Sequence, residues 1–222
     1  MKVYPIEKRQ IHEIVYEQIK SGILDGDFAP GEKLNQDELA QEQGVSRMPV
    51  RDALKRLVTD GLIENNINKG FVVTKFSKET LTDVLYVRSL LESEAILLAE
   101  KTFTDDDIRH LEEIQKQSEI ETKTGNLVKI RELNRKFHFA LYKPVTSKLL
   151  LELIERIWDR FPNYAMYTKL ENAKNSLKTH QKIIDFVKAS DFRKASAEMK
   201  QHILKTEESL NYLTDDTLLN GS

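Results

Sequence analysis

Between Pro30 and Thr74 the chain reads PGEKLNQDELAQEQGVSRMPVRDALKRLVTDGLIENNINKGFVVT. That order of breaks and apolar runs leaves little freedom of fold. A short helix is predicted over residues 35–43, followed by a glycine turn at Gly44. A second helix opens at Ser46-Arg47 and runs to about Asp60. Two apolar runs, Leu62-Ile63 and Phe71-Val72-Val73, then flank a polar tip over residues 65–70. Helix, tight turn, helix and hairpin in this order specify a winged helix-turn-helix, whose second helix fits a DNA major groove.

The second helix is readable residue by residue. Ser46 is a suitable N-cap, because its hydroxyl can accept from an orphan amide of the first turn. Pro49 falls in that turn, where a missing N–H costs little. Val50, Ala53, Leu54 and Leu57 recur at helical spacing and form a stripe that must be buried. Arg47, Arg51 and Lys55 are spaced four apart and line a neighbouring, outward stripe. A guanidinium can clamp guanine O6 and N7, and Arg or Lys can neutralise phosphate. Ahead of the motif, Ile11, Ile14, Val15, Ile19 and Ile23 give a supporting helix its apolar face, with His12 at the surface.

Charge does not by itself announce a nucleic-acid partner. Residues 1–75 hold 11 Lys/Arg against 12 Asp/Glu. The positive charge is local, with Arg47, Arg51, Lys55 and Arg56 facing Asp52 alone, so geometry and dimerisation must carry recognition. Binding of this kind is specific and salt-sensitive. The chain has no cysteine, in keeping with a reducing cytoplasm. No apolar run approaches a membrane span, and MKVYPIEKRQ lacks the apolar core of a signal peptide. A cytoplasmic protein is expected.

After Thr74 the pattern changes. Ser77 reads as the N-cap of a long helix, leaving a linker of two or three residues between a domain over 1–75 and another over 76–222. Helices are predicted at 78–101, 104–122, 126–143, 147–160, 163–169 (the weakest), 171–188 and 191–212, with a frayed end from Thr214. The fold class is therefore mainly α: an N-terminal winged helix-turn-helix and a C-terminal antiparallel bundle of six or seven helices. Three histidines of the bundle face inward by helical phase. His138 and Asn134 lie beside Ile130, Leu133, Phe137 and Leu141. His180 sits among Ala173, Leu177, Ile184 and Val187, and His202 shares a face with Ala195, Met199, Thr206 and Leu210. Three inward imidazoles suit a divalent cation such as Zn²⁺, Ni²⁺ or Mn²⁺; they equally suit hydrogen-bonded core positions.

VSRMPVRDALKRLVTDGLI resembles the recognition-helix segment of GntR-type bacterial transcription regulators, and ILDGDFAPGEKL and NKGFVV resemble the flanking segments. That resemblance implies Arg47 and Arg51 as the principal DNA contacts, Ser46, Met48 and Pro49 at the helix entrance, and Lys69 and Gly70 at the wing tip. Asp37 departs from it, standing where many relatives carry a DNA-contacting arginine or another polar residue. The remainder resembles the all-helical FCD effector domain of the FadR-like branch, through VLYVRSLLESEAILLAE and NRKFHFALY. The resemblance implies a divalent metal held by His138, His180 and His202, with Asn134 at an aspartate position, beneath a small carboxylate or sugar-acid effector. Asn134 brings no charge, so either an anionic effector completes the shell or the pocket works without metal. Arg88, one turn before Glu92, reads from spacing alone as an exposed pair. The resemblance instead points Arg88 at the effector; Arg131 is a second candidate, and Trp158, Tyr164 and Tyr167 could wall the pocket.

These features together describe a homodimeric regulator that binds a double-stranded operator and answers to an anionic metabolite. Repression relieved by effector is what the resemblance implies, and activation fits the residues equally. The rival classes are a three-histidine metalloenzyme, with Glu92 as base, and an interaction module whose histidines are only core.

Overall fold

The computed structural model describes residues 6–67, 69–162 and 170–210, and side chains from residue 11 to residue 208 within them. The expected helix at 163–169, with Tyr164 and Tyr167, and the tail from Thr214 lie outside the described residues. The chain divides into two compact units, with the division between Ser77 and Lys78.

The first unit runs α1 (Ile6–Asp25), β1 (Lys33–Leu34), α2 (Gln36–Glu42), α3 (Arg47–Thr59), β2 (Ile63–Asn66) and β3 (Gly70–Val73). Asn35 starts α2 by accepting from the Asp37 amide at 3.0 Å. Gly44 ends it in the left-handed region, at φ 64°. That conformation lets the Val45 amide reach the Ala40 carbonyl at 3.0 Å and the Gly44 amide reach Gln41 at 3.2 Å, a Schellman closure. Any other L-residue in this conformation costs about 1–2 kcal/mol.

In the helices of the first unit, two details differ from expectation. Ser46 has the extended backbone of an N-cap but makes no side-chain cap bond. The third residue of α3, whose amide a capping hydroxyl would seek, is Pro49, and proline has no N–H to offer. Ile11 and Ile14 are 42% and 55% exposed, so they are not part of the supporting stripe. The buried face of α1 is Val15, Tyr16, Ile19 and Ile23, and Ile14 lies nearly opposite Tyr16 at about 100° per residue. The Tyr16 hydroxyl donates to Asp60 at 2.7 Å, and the Arg56 guanidinium stands 3.7 Å above its ring.

Val50, Ala53, Leu54 and Leu57 of α3 are all buried, as their spacing requires, and α3 packs on α1. The wing is a three-stranded antiparallel sheet in the order β1-β3-β2. Its register sets Ile63 opposite Val73 and Asn66 opposite Gly70, with Lys33 opposite Val72. The strand β1 was not expected; two residues carry no periodicity of their own.

The second unit is an all-helical bundle, as expected. Its described helices are α4 (Lys78–Ala99), α5 (Asp105–Thr124), α6 (Leu127–Tyr142), α7 (Lys148–Trp158), α8 (Leu170–Lys188) and α9 (Phe192–Leu210). Their starts are chemically marked. Thr104 and Asp107 form a reciprocal capping box, and Asn126, Ser147 and Asp191 each accept from an amide three residues on. α4 packs against α9 and α7, and α5 against α6 and α8. The buried stripe of α4 reads Leu81, Leu85, Arg88, Glu92, Ala95 and Ala99, an unbroken alternation of four- and three-residue steps. Arg88 and Glu92 are therefore not an exposed pair; they occupy core positions. Among the described residues no helix is long and apolar enough to cross a membrane.

Candidate DNA-reading face and histidine centre

The outer face of α3 presents Arg47, Met48, Arg51 and Lys55, all exposed, with Ser46 beside them. Lys69 is exposed on the wing, and Gly70 follows it at φ 76°. Pro49 does not belong to this face. It is buried with the inner stripe, because position three of the helix points back into the unit. Asp37, on the first turn of α2, makes an ion pair with the Nε of Arg47, the two side chains being 55% and 75% exposed.

In the bundle, α6, α8 and α9 bring His138, His180 and His202 together. One ligand nitrogen from each lies within 4.8 Å of the others, and this is the one such group among the described residues. His180 Nε2 and His202 Nε2 are 3.2 Å apart. Phe137 stacks on His180 with ring centroids 3.9 Å apart, and Trp158 meets His138 edge-on at 5.1 Å. His138 and His180 are buried, whereas His202 is half-buried. Asn134 is buried one turn before His138. Arg131 is half-buried on the same helix.

Glu92 organises this centre. It is fully buried, and its carboxylate accepts from Arg88 Nε at 2.8 Å, from the Tyr142 hydroxyl at 2.5 Å and from His138 Nδ1 at 2.7 Å. The Arg88 guanidinium also lies 3.6 Å over the Trp158 ring. Burial opposes charge on Glu92, but Arg88 and then His138 outweigh it and hold the carboxyl at about 2. Burial pushes His138 below the ordinary histidine value, with Glu92 pulling the other way. The result at neutral pH is an ionised glutamate beside a neutral imidazole. An ionised carboxylate only accepts, so Nδ1 carries the proton and Nε2 carries the lone pair. That Nε2 is buried with no hydrogen-bond partner.

The other two rings are neutral as well. Burial, then His202 and His138, push His180 far down, and burial followed by His138 takes His202 to about 3. The donor set therefore fits a cation. Two imidazole nitrogens on one tetrahedral ion, each at about 2.05 Å, stand about 3.3 Å apart, close to the His180–His202 spacing. A carboxylate behind a ligating histidine is a recurrent way to fix its tautomer. A general base near pH 7 needs a carboxyl raised toward that pH. Glu92 is held at about 2 and shut from solvent, so the catalytic role weighed for it is not supported.

A surface cleft of about 650 Å³ lies elsewhere, between α5, α6 and α7, lined by residues such as His110, Lys136, Phe139 and Leu151. It contains no member of the histidine centre. What residue-level reading missed was Glu92 as the partner of His138, and the signal was present: Glu92 continues the apolar stripe of α4, a phase that exposed carboxylates do not keep.

With this geometry in hand, the likenesses to known proteins are informative. Residues 11–73 match the bacterial regulatory proteins of the gntR family, and residues 83–205 match the FCD domain. The HTH-type transcriptional regulator YdhC of Bacillus subtilis (strain 168) is 31% identical over 192 residues, 85% of this chain and 84% of that protein. The Nta operon transcriptional regulator of Aminobacter aminovorans is 31% identical over 180 residues, covering 80% of this chain and 84% of its own. The solved structure of E. coli McbR/YncC superposes with a TM-score of 0.79 at 25% identity, over 90% of this chain and 98% of that one.

Proposed function

Because the chain belongs to the GntR family of bacterial regulatory proteins and carries an FCD domain, we propose that it is a homodimeric, cytoplasmic, effector-responsive repressor with a metal centre at His138, His180 and His202. It is a DNA-binding transcription regulator and not an enzyme. Labour is divided at the boundary near residue 76. The winged helix-turn-helix reads an operator half-site through Arg47 and Arg51, with Lys55, Ser46, Met48 and Lys69 around them. The bundle holds the cation on its three imidazoles, with the Asn134 amide beside them, and receives a small carboxylate or sugar acid near Arg88 and Arg131. The cation would supply positive charge to meet the carboxylate; the protein's part is to hold three neutral lone pairs in place. One observation carries this reading: Glu92 fixes the His138 tautomer so that its unpartnered Nε2 holds the lone pair, in a cluster where one ligand nitrogen each of His138, His180 and His202 lies within 4.8 Å of the others.

A metal-free pocket is the second reading, favoured by the uncharged Asn134 in place of a carboxylate. The test is direct. Duplexes selected by the full-length protein from a randomised pool serve as operator. Arg51→Ala should weaken binding to them at least tenfold, from lost base and phosphate contacts. Chelation followed by readdition of Zn²⁺, Ni²⁺ or Mn²⁺ should then change operator affinity reversibly. Normal operator binding by Arg51→Ala would defeat the DNA assignment, and protein that purifies without metal and ignores all three ions would favour the metal-free pocket.

Dimerisation has its own support. Tyr86, Val87, Leu90 and Leu98 on α4 and Leu149 and Leu153 on α7 are exposed apolar side chains on two helices that pack together. Large apolar side chains left exposed together on neighbouring helices favour an interface there. Leu153→Asp should shift the protein to monomer in sedimentation velocity and weaken operator binding with it, while leaving the helical circular dichroism intact.

A further inference from the structure

The recognition face carries an acid that the DNA-reading assignment does not use. Asp37 stands at the first turn of α2 and pairs with the Nε of Arg47, at the start of α3, while both side chains remain largely exposed. An exposed ion pair adds little to stability, so its effect is to be sought in what Arg47 does. A guanidinium has two bonding edges. The edge bearing Nε can hold a carboxylate, which leaves the two terminal nitrogens as a fork for guanine O6 and N7. Holding the first edge fixes the plane of the second. It also cancels one positive charge on a unit that has few to spare.

We propose that Asp37 is a positioning residue for specificity: it aims the Arg47 fork at a base edge and lowers attraction to DNA of any other sequence. This rests on the reading of Arg47 as a DNA contact. Asp37 thus favours discrimination over affinity. Phosphate attraction falls by about one unit charge for every sequence, whereas the two-point base contact is retained only where a guanine meets the fork.

The experiment uses the full-length protein, the selected duplex and a scrambled duplex of equal length, with affinities measured over a range of salt concentrations. Asp37→Asn should bind the scrambled duplex more tightly, with a salt slope steeper by about 0.9. Its preference for the selected duplex should fall roughly five- to tenfold, and most at a guanine contacted by Arg47. In an Arg47→Lys background, which lacks the fork, Asp37→Asn should leave the preference within about twofold. Equal tightening on both duplexes would make the acid a simple electrostatic brake and overturn the proposal, as would an unchanged preference. If Arg47→Ala binds the selected duplex as wild type does, the contact reading itself fails, a result distinct from either. Asp37→Ser, which keeps a first-turn polar residue, guards against a folding defect particular to the asparagine variant.

Discussion

Glu92→Ala is expected to destabilise the helical unit by about 3–5 kcal/mol, a large share of the roughly 5–15 kcal/mol that holds a domain folded. The carboxylate accepts from Arg88, Tyr142 and His138 in a fully buried setting. Its removal leaves a guanidinium at 4% side-chain exposure without its counter-charge, and the face of Trp158 is a weak substitute for one. Chemical denaturation would measure the loss. A change under 1 kcal/mol would mean that water or a rearranged partner replaces the acid. Exchanging the whole pair, Arg88→Met with Glu92→Leu, should recover much of the stability, since no orphan charge is then left behind. The variant should not recover the metal site. Without the acceptor at Nδ1 the His138 proton is free to move to Nε2, and affinity for Zn²⁺ should drop about 10–100-fold. The acid also has a pH signature. Its folded value of about 2 lies below its ordinary value of 4.5, so its contribution is complete above 4.5 and is lost as pH falls toward 2.

Helical phase explains both what was legible in the chain and what was not. It placed Val50, Ala53, Leu54 and Leu57 inward and Arg47, Arg51 and Lys55 outward, because these are directions about a single axis. It turned His138, His180 and His202 into the bundle for the same reason. Their meeting within 4.8 Å depends on how three helices cross, which no single stripe encodes. Residue type misled where phase would have served better. Arg88 and Glu92 looked like solvent residues, yet they keep the step pattern of the buried stripe on α4. Partner chemistry was the other gap. Pro49 removes the amide that Ser46 would cap, and Asp37, read only as a departure from the family's pattern, has Arg47 as its neighbour. Both features become legible once the segments around Gly44 are folded back on each other.

Acidification is expected to unfold the metal-free protein well before an ordinary helical bundle of this charge, and bound metal should postpone it. The three histidines are held below their ordinary value of 6.5, His202 at about 3. Their contribution to stability is therefore complete above 6.5 and is lost as pH falls from there toward those folded values. Below 6.5 the unfolded chain takes up as many as three protons that the folded centre refuses, a cost of up to about 4 kcal/mol per pH unit. Melting temperature between pH 7.5 and 5 would record this as a steep descent. Zn²⁺ at about a hundredfold excess over its dissociation constant should add about 2.7 kcal/mol at neutral pH. That gain should shrink under acid as protons compete for the same nitrogens. His180→Phe separates the two parts. It replaces a neutral imidazole already stacked on Phe137 with a ring of similar shape. The variant should stay folded at pH 7, with a modest loss from the polar contacts His180 Nε2 makes to Ser176 and His202, descend less steeply under acid, and gain nothing from Zn²⁺. A variant that zinc stabilises as well as wild type would place the ion elsewhere and leave the histidines as core; one that descends as steeply would mean His180 is not among the groups that refuse a proton.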